Sequence, residues 1–268
     1  MPDTADLFDL AALELGEETG SMIESLLLST TRISTFDNDT PLTNATGFFF
    51  ANQGRLFIVT SLHVLMDPAT SHHPNRVEFE VHTDSENLAV YTSISILLFD
   101  NGKSIWRDAA DTAGSVDVAV IEIDKSVLPA GAYYHAFDSQ QVLDAHSRIE
   151  VGANALIVGF PLGFQDTLHR LPVVRQAVVA STLGLRFQGK GYFLTDARTH
   201  RGSSGSPVIT RAVAGSPLHQ TSGWVLLGVH SSRLDIGTRD IQIDEALGLN
   251  CTWYADVLGV LTAASEPS

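Results

Sequence analysis

The stretch Gly202-Ser203-Ser204-Gly205-Ser206-Pro207 sets a hydroxyl between glycines, the arrangement by which acyl-transfer enzymes expose a nucleophile on a tight turn. Glycines at 202 and 205 open backbone conformations closed to other residues and let a substrate carbonyl approach main-chain N–H groups, while Pro207 starts the next strand. Ser204 is the candidate nucleophile. A serine hydroxyl attacks poorly at neutral pH, so the chain must also supply a base and a group to orient that base. His63 ends the apolar run Leu56-Phe57-Ile58-Val59-Thr60-Ser61-Leu62, and Asp117 opens the alternating run Asp117-Val118-Ala119-Val120-Ile121-Glu122-Ile123, a setting that partly desolvates its carboxylate. Each residue has a plainer reading: a Ser- and Gly-rich turn, a core histidine, a strand cap. The three types together, each in a suitable local context, favour the catalytic one.

These residues need a β scaffold, and the pattern supplies one. Short strands are expected over 47–51, 55–61, 76–82, 89–99 and 116–123, with a turn at Asn52-Gln53-Gly54. Residues 125–148 contain Pro129 and Gly131 among mixed polar residues and read as a connection. A second set of strands follows over 153–160, 171–180, 191–195, 206–211 and 223–231, and residues 253–264 read as a closing helix. Ahead of all this, residues 7–28 carry Leu, Ala, Met and Ile at helix-compatible spacing, interrupted by Gly16 and Gly20. One or two short helices are expected there, their apolar faces packing on the domain or docking on a partner protein.

With the order His, Asp, Ser established, the chain resembles a trypsin-like serine peptidase of the chymotrypsin fold. Thr60-Ser61-Leu62-His63, Asp117-Val118-Ala119-Val120 and the 202–207 hexapeptide carry the likeness, and Thr195-Asp196-Ala197 and Leu227-Gly228-Val229-His230 agree with it. It extends from about Ser29 onward and lies nearer the bacterial HtrA-type and glutamyl endopeptidase branches than the digestive trypsins. The resemblance implies an all-β fold of two six-stranded antiparallel barrels with short N-terminal helices and a C-terminal helix. The corresponding division is a helical extension over 1–28, a first barrel over 29–124 with His63 and Asp117, a connection over 125–148, and a second barrel with the nucleophile over 149–268. It also implies that His63 takes the Ser204 proton, that Asp117 orients the imidazole, and that the N–H groups of Gly202 and Ser204 form the oxyanion hole. Ser203 stands where digestive trypsins carry the aspartate that pairs with a new N-terminus, so that activation switch is absent.

The resemblance further implies a pocket, for the side chain before the scissile bond, lined by Arg198, Thr199 and His230. A threonine five before the serine with a histidine in a Gly-Val-His strand resembles glutamyl endopeptidases, and viral chymotrypsin-like peptidases that take glutamine share the Gly-x-His strand. An imidazole and a hydroxyl suit a carboxylate or an amide, and no carboxylate stands at 198 to favour Lys or Arg. His230 as a mere packing residue is the plainer alternative.

Composition narrows the rest. The 268 residues carry 16 Lys and Arg against 31 Asp and Glu, a formal charge of −15 without a basic cluster, which argues against nucleic acid as a partner. No window suggests a membrane span. The acidic N-terminus lacks the basic and apolar regions of a secretory signal, and Cys251 is the only cysteine, so a cytoplasmic protein is expected. Adjacent His72 and His73 make a poor chelate, and His200 reads as a cleft-rim residue, so neither metal nor cofactor is expected. A protein or peptide substrate is expected, with a silent trypsin-fold binding module and an esterase using the same triad as the rival functions.

Overall fold

A computed structural model describes residues 24–143, 149–212, 223–231 and 248–264. After a 3₁₀ turn at Ser25–Ser29 come β1 (Thr30–Asp37), β2 (Thr40–Asn52), β3 (Arg55–Thr60), helix α1 (Leu62–Leu65), β4 (Arg76–His82) and β5 (Tyr91–Leu97). A small hairpin of β6 (Phe99–Asp100) and β7 (Lys103–Ser104) leads to β8 (Trp106–Asp111), β9 (Gly114–Ile123) and β10 (Phe137–Asp138). The second half holds β11 (Asn154–Gly159), β12 (Val173–Val179), β13 (Tyr192–Asp196), β14 (Pro207–Arg211), β15 (Trp224–Ser231), β16 (Leu249–Tyr254) and helix α2 (Val257–Leu261).

Phe48, Phe49 and Phe50 are consecutive and all buried, which a strand permits only when both of its faces are covered. Phe49 faces the core of the first sheet with Ile33, Phe79 and Ile121. Phe48 and Phe50 face the other way, into a cluster with Phe57, Val59, Tyr192, Leu226 and Trp253 that joins the two halves. A third cluster around Phe193, Val208 and Leu227 fills the second half from inside. Val59, Val118 and Val229 of the joining cluster lie within a few residues of His63, Asp117 and His230.

Closure distinguishes the halves and corrects one expectation. Strands β11-β12-β13-β16-β15-β14 form a closed six-stranded barrel. The first half is instead an open eight-stranded sheet ordered β5-β4-β1-β2-β3-β9-β8, with β10 added parallel to β2. Among the described residues there is therefore one closed barrel and not two. Closing the first would require β5 to meet β8, and the β6–β7 hairpin stands between them in the chain. The Leu98 N–H at its base donates to Asn75 O, and Ile105 N–H donates back to Leu98 O, so these amides are not available to zip the edges. Strand β8 is also out of register with β9 between Asp108 and Ala110. The edges are solvated, with Thr92, Ser93 and Ser95 exposed on β5 and Asp108 on β8, which suits an unpaired strand.

The closing helix is shorter than its apolar pattern suggests. Only Val257–Leu261 is helical, and Trp253 and Tyr254 belong to β16, where Trp253 pairs with Tyr192 and Val229 and its ring meets Tyr192 edge-on at 5.4 Å. A short apolar run fits either period, and tertiary pairing decides. The expected helices over 7–28 fall mainly on residues 1–23, outside the described residues; Ser25–Ser29 forms only the 3₁₀ turn.

Candidate active site

Pairing of β3 with β9 places the acid beside the base. Thr60 opposes Ala119, so Asp117, two residues earlier on β9, faces the chain just past the end of β3, where α1 begins. Asp117 Oδ1 accepts from the His63 backbone N–H at 2.9 Å, and Oδ2 lies 2.7 Å from His63 Nδ1. Facing an ionised carboxylate, Nδ1 carries the proton, which leaves Nε2 as an acceptor 3.0 Å from Ser204 Oγ. Ser231 Oγ donates to Asp117 Oδ2 at 2.8 Å from the end of β15. Burial would raise the Asp117 carboxyl, but the hydrogen bond and charge of His63, its backbone N–H and the Ser231 hydroxyl together hold it below the usual aspartate value.

Ser204 sits on the loop between β13 and β14. Ser203 N–H donates to His200 O and Ser206 N–H to Ser203 O, giving two successive tight turns. Gly202 and Gly205 have φ of +92° and +85°. A Cβ at 202 would lie 2.5 Å from Phe160 O and 2.9 Å from Leu162 N, and one at 205 would run into Thr46 O and the Thr60 hydroxyl. Both conformation and space exclude a side chain there.

His230 is wholly buried at the start of the barrel's contact with this loop: its carbonyl accepts from Gly205 N–H and its N–H donates to Ser206 O. Neither ring nitrogen has a hydrogen-bond partner among the described residues. Burial, with the nearby charge of His63 acting in the same sense, lowers its pKa to about 3, so it is neutral. His230 opposes Thr252 on β16, and Asn250, two residues along the same face, takes the Thr199 hydroxyl on its Oδ1 at 2.6 Å. Thus Thr199 and His230 connect to one polar strip on β16. Arg198 is exposed and does not join them.

Three contributors lie outside the sequence signal. Ser231 follows His230 directly, so a polar residue ending an apolar strand was the available hint. Asn250 and Thr46 gave none, because their partners are distant in the chain. Thr46, fully buried in β2, donates its hydroxyl to Gly202 O at 2.7 Å and accepts from Phe160 N–H at 3.0 Å.

The arrangement is that of a nucleophile, base and orienting acid in line, and the trypsin-like peptidase domain family matches residues 45–228; the chain belongs to that family. Among curated proteins it is similar to human serine protease HTRA3, 26% identical over 175 residues, covering 65% of this chain and 32% of the relative. The chain thus spans about a third of that relative's length. Among solved structures it resembles the serine endoprotease from Yersinia pestis, with 15% identity, a TM-score of 0.47 and coverage of 88% of this chain and 63% of that one. The active form of the Rv3671c protease from M. tuberculosis gives 16% identity and a TM-score of 0.46, over 91% of this chain and 85% of the other.

Proposed function

We propose that this chain is a serine endopeptidase that works through an acyl-enzyme on Ser204. The observation that carries the reading is the unbroken relay from Ser204 Oγ to His63 Nε2 at 3.0 Å and from His63 Nδ1 to Asp117 at 2.7 Å. Ser204 Oγ attacks the peptide carbonyl carbon and gives its proton to Nε2, while the carbonyl oxygen takes the negative charge toward the N–H groups of Gly202 and Ser204. Collapse breaks the C–N bond, and the leaving amine departs with the proton from Nε2. Water then loses a proton to Nε2 as it attacks the ester, and the proton returns to Ser204 Oγ as the acid leaves. Comparing cut sites in a proteome treated with wild type and with Ser204→Ala tests this. Cleavage by wild type alone supports it; ester hydrolysis without any peptide cleavage would make the chain an esterase.

For the side chain before the scissile bond, an amide suits the pocket better than a carboxylate. Asn250 Nδ2 donates to Ala197 O at 2.8 Å and Gly248 O at 2.9 Å, which turns its Oδ1 toward Thr199. The single Thr199 proton is committed to that oxygen, so Thr199 offers lone pairs only. His230 is neutral and offers one donor and one acceptor. An amide meets both, whereas a carboxylate has nothing to donate and finds no buried cation beside Thr199 and His230 among the described residues; the exposed Arg198 is screened by solvent. Matched peptides with glutamine and glutamate at this position are expected to differ by about tenfold or more in kcat/KM in favour of glutamine. A preference for glutamate would reverse this reading, and one for Lys or Arg would end both. The reading includes a cytoplasmic setting, supported by the lone cysteine. Docking of a partner on residues 1–28 is supported only by their apolar spacing.

A further inference from the structure

Four consecutive carbonyls around the nucleophile are each held by a hydrogen-bond donor, three of them from outside the 203–206 turn. Arg201 O accepts from Leu162 N–H, Gly202 O from the Thr46 hydroxyl, Ser203 O from Ser206 N–H, and Ser204 O from Thr46 N–H. Thr46 supplies two of the four, at 2.7 and 3.0 Å, from a strand of the opposite half of the molecule. Its hydroxyl has no freedom. Phe160 N–H can only donate, so the Thr46 oxygen must accept from it and direct its one proton to Gly202 O. The Thr46 carbonyl is fixed in turn by the Thr60 hydroxyl at 2.8 Å, from the strand that leads to His63.

Fixing the carbonyls fixes the amides. In a trans peptide the C=O and N–H point in opposite directions. With Arg201 O drawn to Leu162, the Gly202 N–H is turned away from the 160–163 segment, and Ser203 O, held by Ser206 N–H, sets the Ser204 N–H in the same way; Thr46 holds the carbonyls of Gly202 and Ser204, the peptides between and after these two, so that neither can turn over without breaking a bond to Thr46. Resting on the endopeptidase reading, we propose that Thr46 is a positioning residue that presets the oxyanion loop, so that the enzyme is competent without an activating partner. It does for the loop what a newly cut N-terminus does where the residue before the nucleophile is an aspartate, a position held here by Ser203.

The test uses the full chain as Thr46→Val, which keeps the shape and removes the hydroxyl, and as Thr46→Ser, which keeps the hydroxyl. Thr46→Val is expected to lose about tenfold to a hundredfold in kcat with KM changed less than about threefold, and to bind a peptide aldehyde, which mimics the tetrahedral state, more weakly by the same factor. Thr46→Ser is expected to stay within about threefold of wild type in both. Melting curves show whether Thr46→Val is folded; if it is not, Thr46→Ala, which also removes the hydroxyl but sets no methyl group against Phe160 N–H and Gly202 O, takes its place with the same expected losses. Unchanged kcat and aldehyde affinity in Thr46→Val would overturn the proposal, as would equal losses in the two variants. Purified wild type that cleaves only after cell extract is added would overturn the preset loop and leave the endopeptidase reading standing. Wild type silent under both conditions would overturn both.

Discussion

The open sheet and the closed barrel meet the same demand, fixing the side chains of one site, by different means. In the barrel every strand is paired on both sides, and its interior cluster around Phe193, Val208 and Leu227 is enclosed. The nucleophile loop hangs from it between β13 and β14. The open sheet leaves β5 and β8 without an outer partner among the described residues, yet His63, Asp117 and Thr46 come from α1, β9 and β2, inside those edges. There each strand has two neighbours and both faces are buried, by the sheet's own core on one side and the joining cluster on the other. Closure is thus unnecessary for precision, provided the chemistry sits away from the edge.

The largest expected effects come from separating the two halves chemically. Ser204→Ala from the barrel side and His63→Ala from the sheet side are each expected to lower kcat about a million-fold, and the double variant to be no worse, because the pair acts as one unit. Losses that multiply would show that the halves act independently. Asp117→Asn leaves the shape but removes the charge and the fixed tautomer, and about a 10⁴-fold fall in kcat is expected. A loss under tenfold in steady-state kinetics would remove Asp117 from the relay.

Stability sharpens the same contrast. Leu227→Ala, inside the barrel, is expected to cost about 2–5 kcal/mol in urea unfolding. Leu97→Ala, on the exposed edge strand β5, is expected to change stability by less than about 0.5 kcal/mol. Comparable losses would mean that the edge is not the loose part of the molecule. Between these lies a pH effect. His230 is neutral in the native state down to about pH 3 but titrates near 6.5 when unfolded, so below 6.5 the unfolded chain binds more protons. Its stabilising share is complete above that value and falls by about 1.4 kcal/mol per pH unit on acidification toward 3. The lowered Asp117 carboxyl adds loss of the same sign below its ordinary value of 3.8. Urea midpoints at stepped pH should fall less steeply in His230→Leu, and an unchanged slope would remove His230 as the cause.

How much of this was written in the local sequence differs between site and fold. Ser204, His63 and Asp117 were legible because each carries a short-range signature: a glycine-flanked turn, a strand running into a histidine, an acid opening an alternating run. The edges of β4, and most strands of the barrel, were legible for the same reason. Strand β1 was not, because it buries Thr30, Thr31 and Thr35 beside Ile33 and so lacks an apolar alternation. Closure was not legible either, since it depends on whether two edges far apart in the chain meet. Thr46 shows the limit most clearly: its hydroxyl serves Gly202, 156 residues away, and nothing around a threonine in a strand announces such a partner.

Whether His63 makes Ser204 nucleophilic is read by labelling with a fluorophosphonate followed by peptide mapping. One adduct per chain is expected, on Ser204, absent in both Ser204→Ala and His63→Ala. An unlabelled wild type, or an adduct that persists on another serine when either residue is replaced, would contradict it.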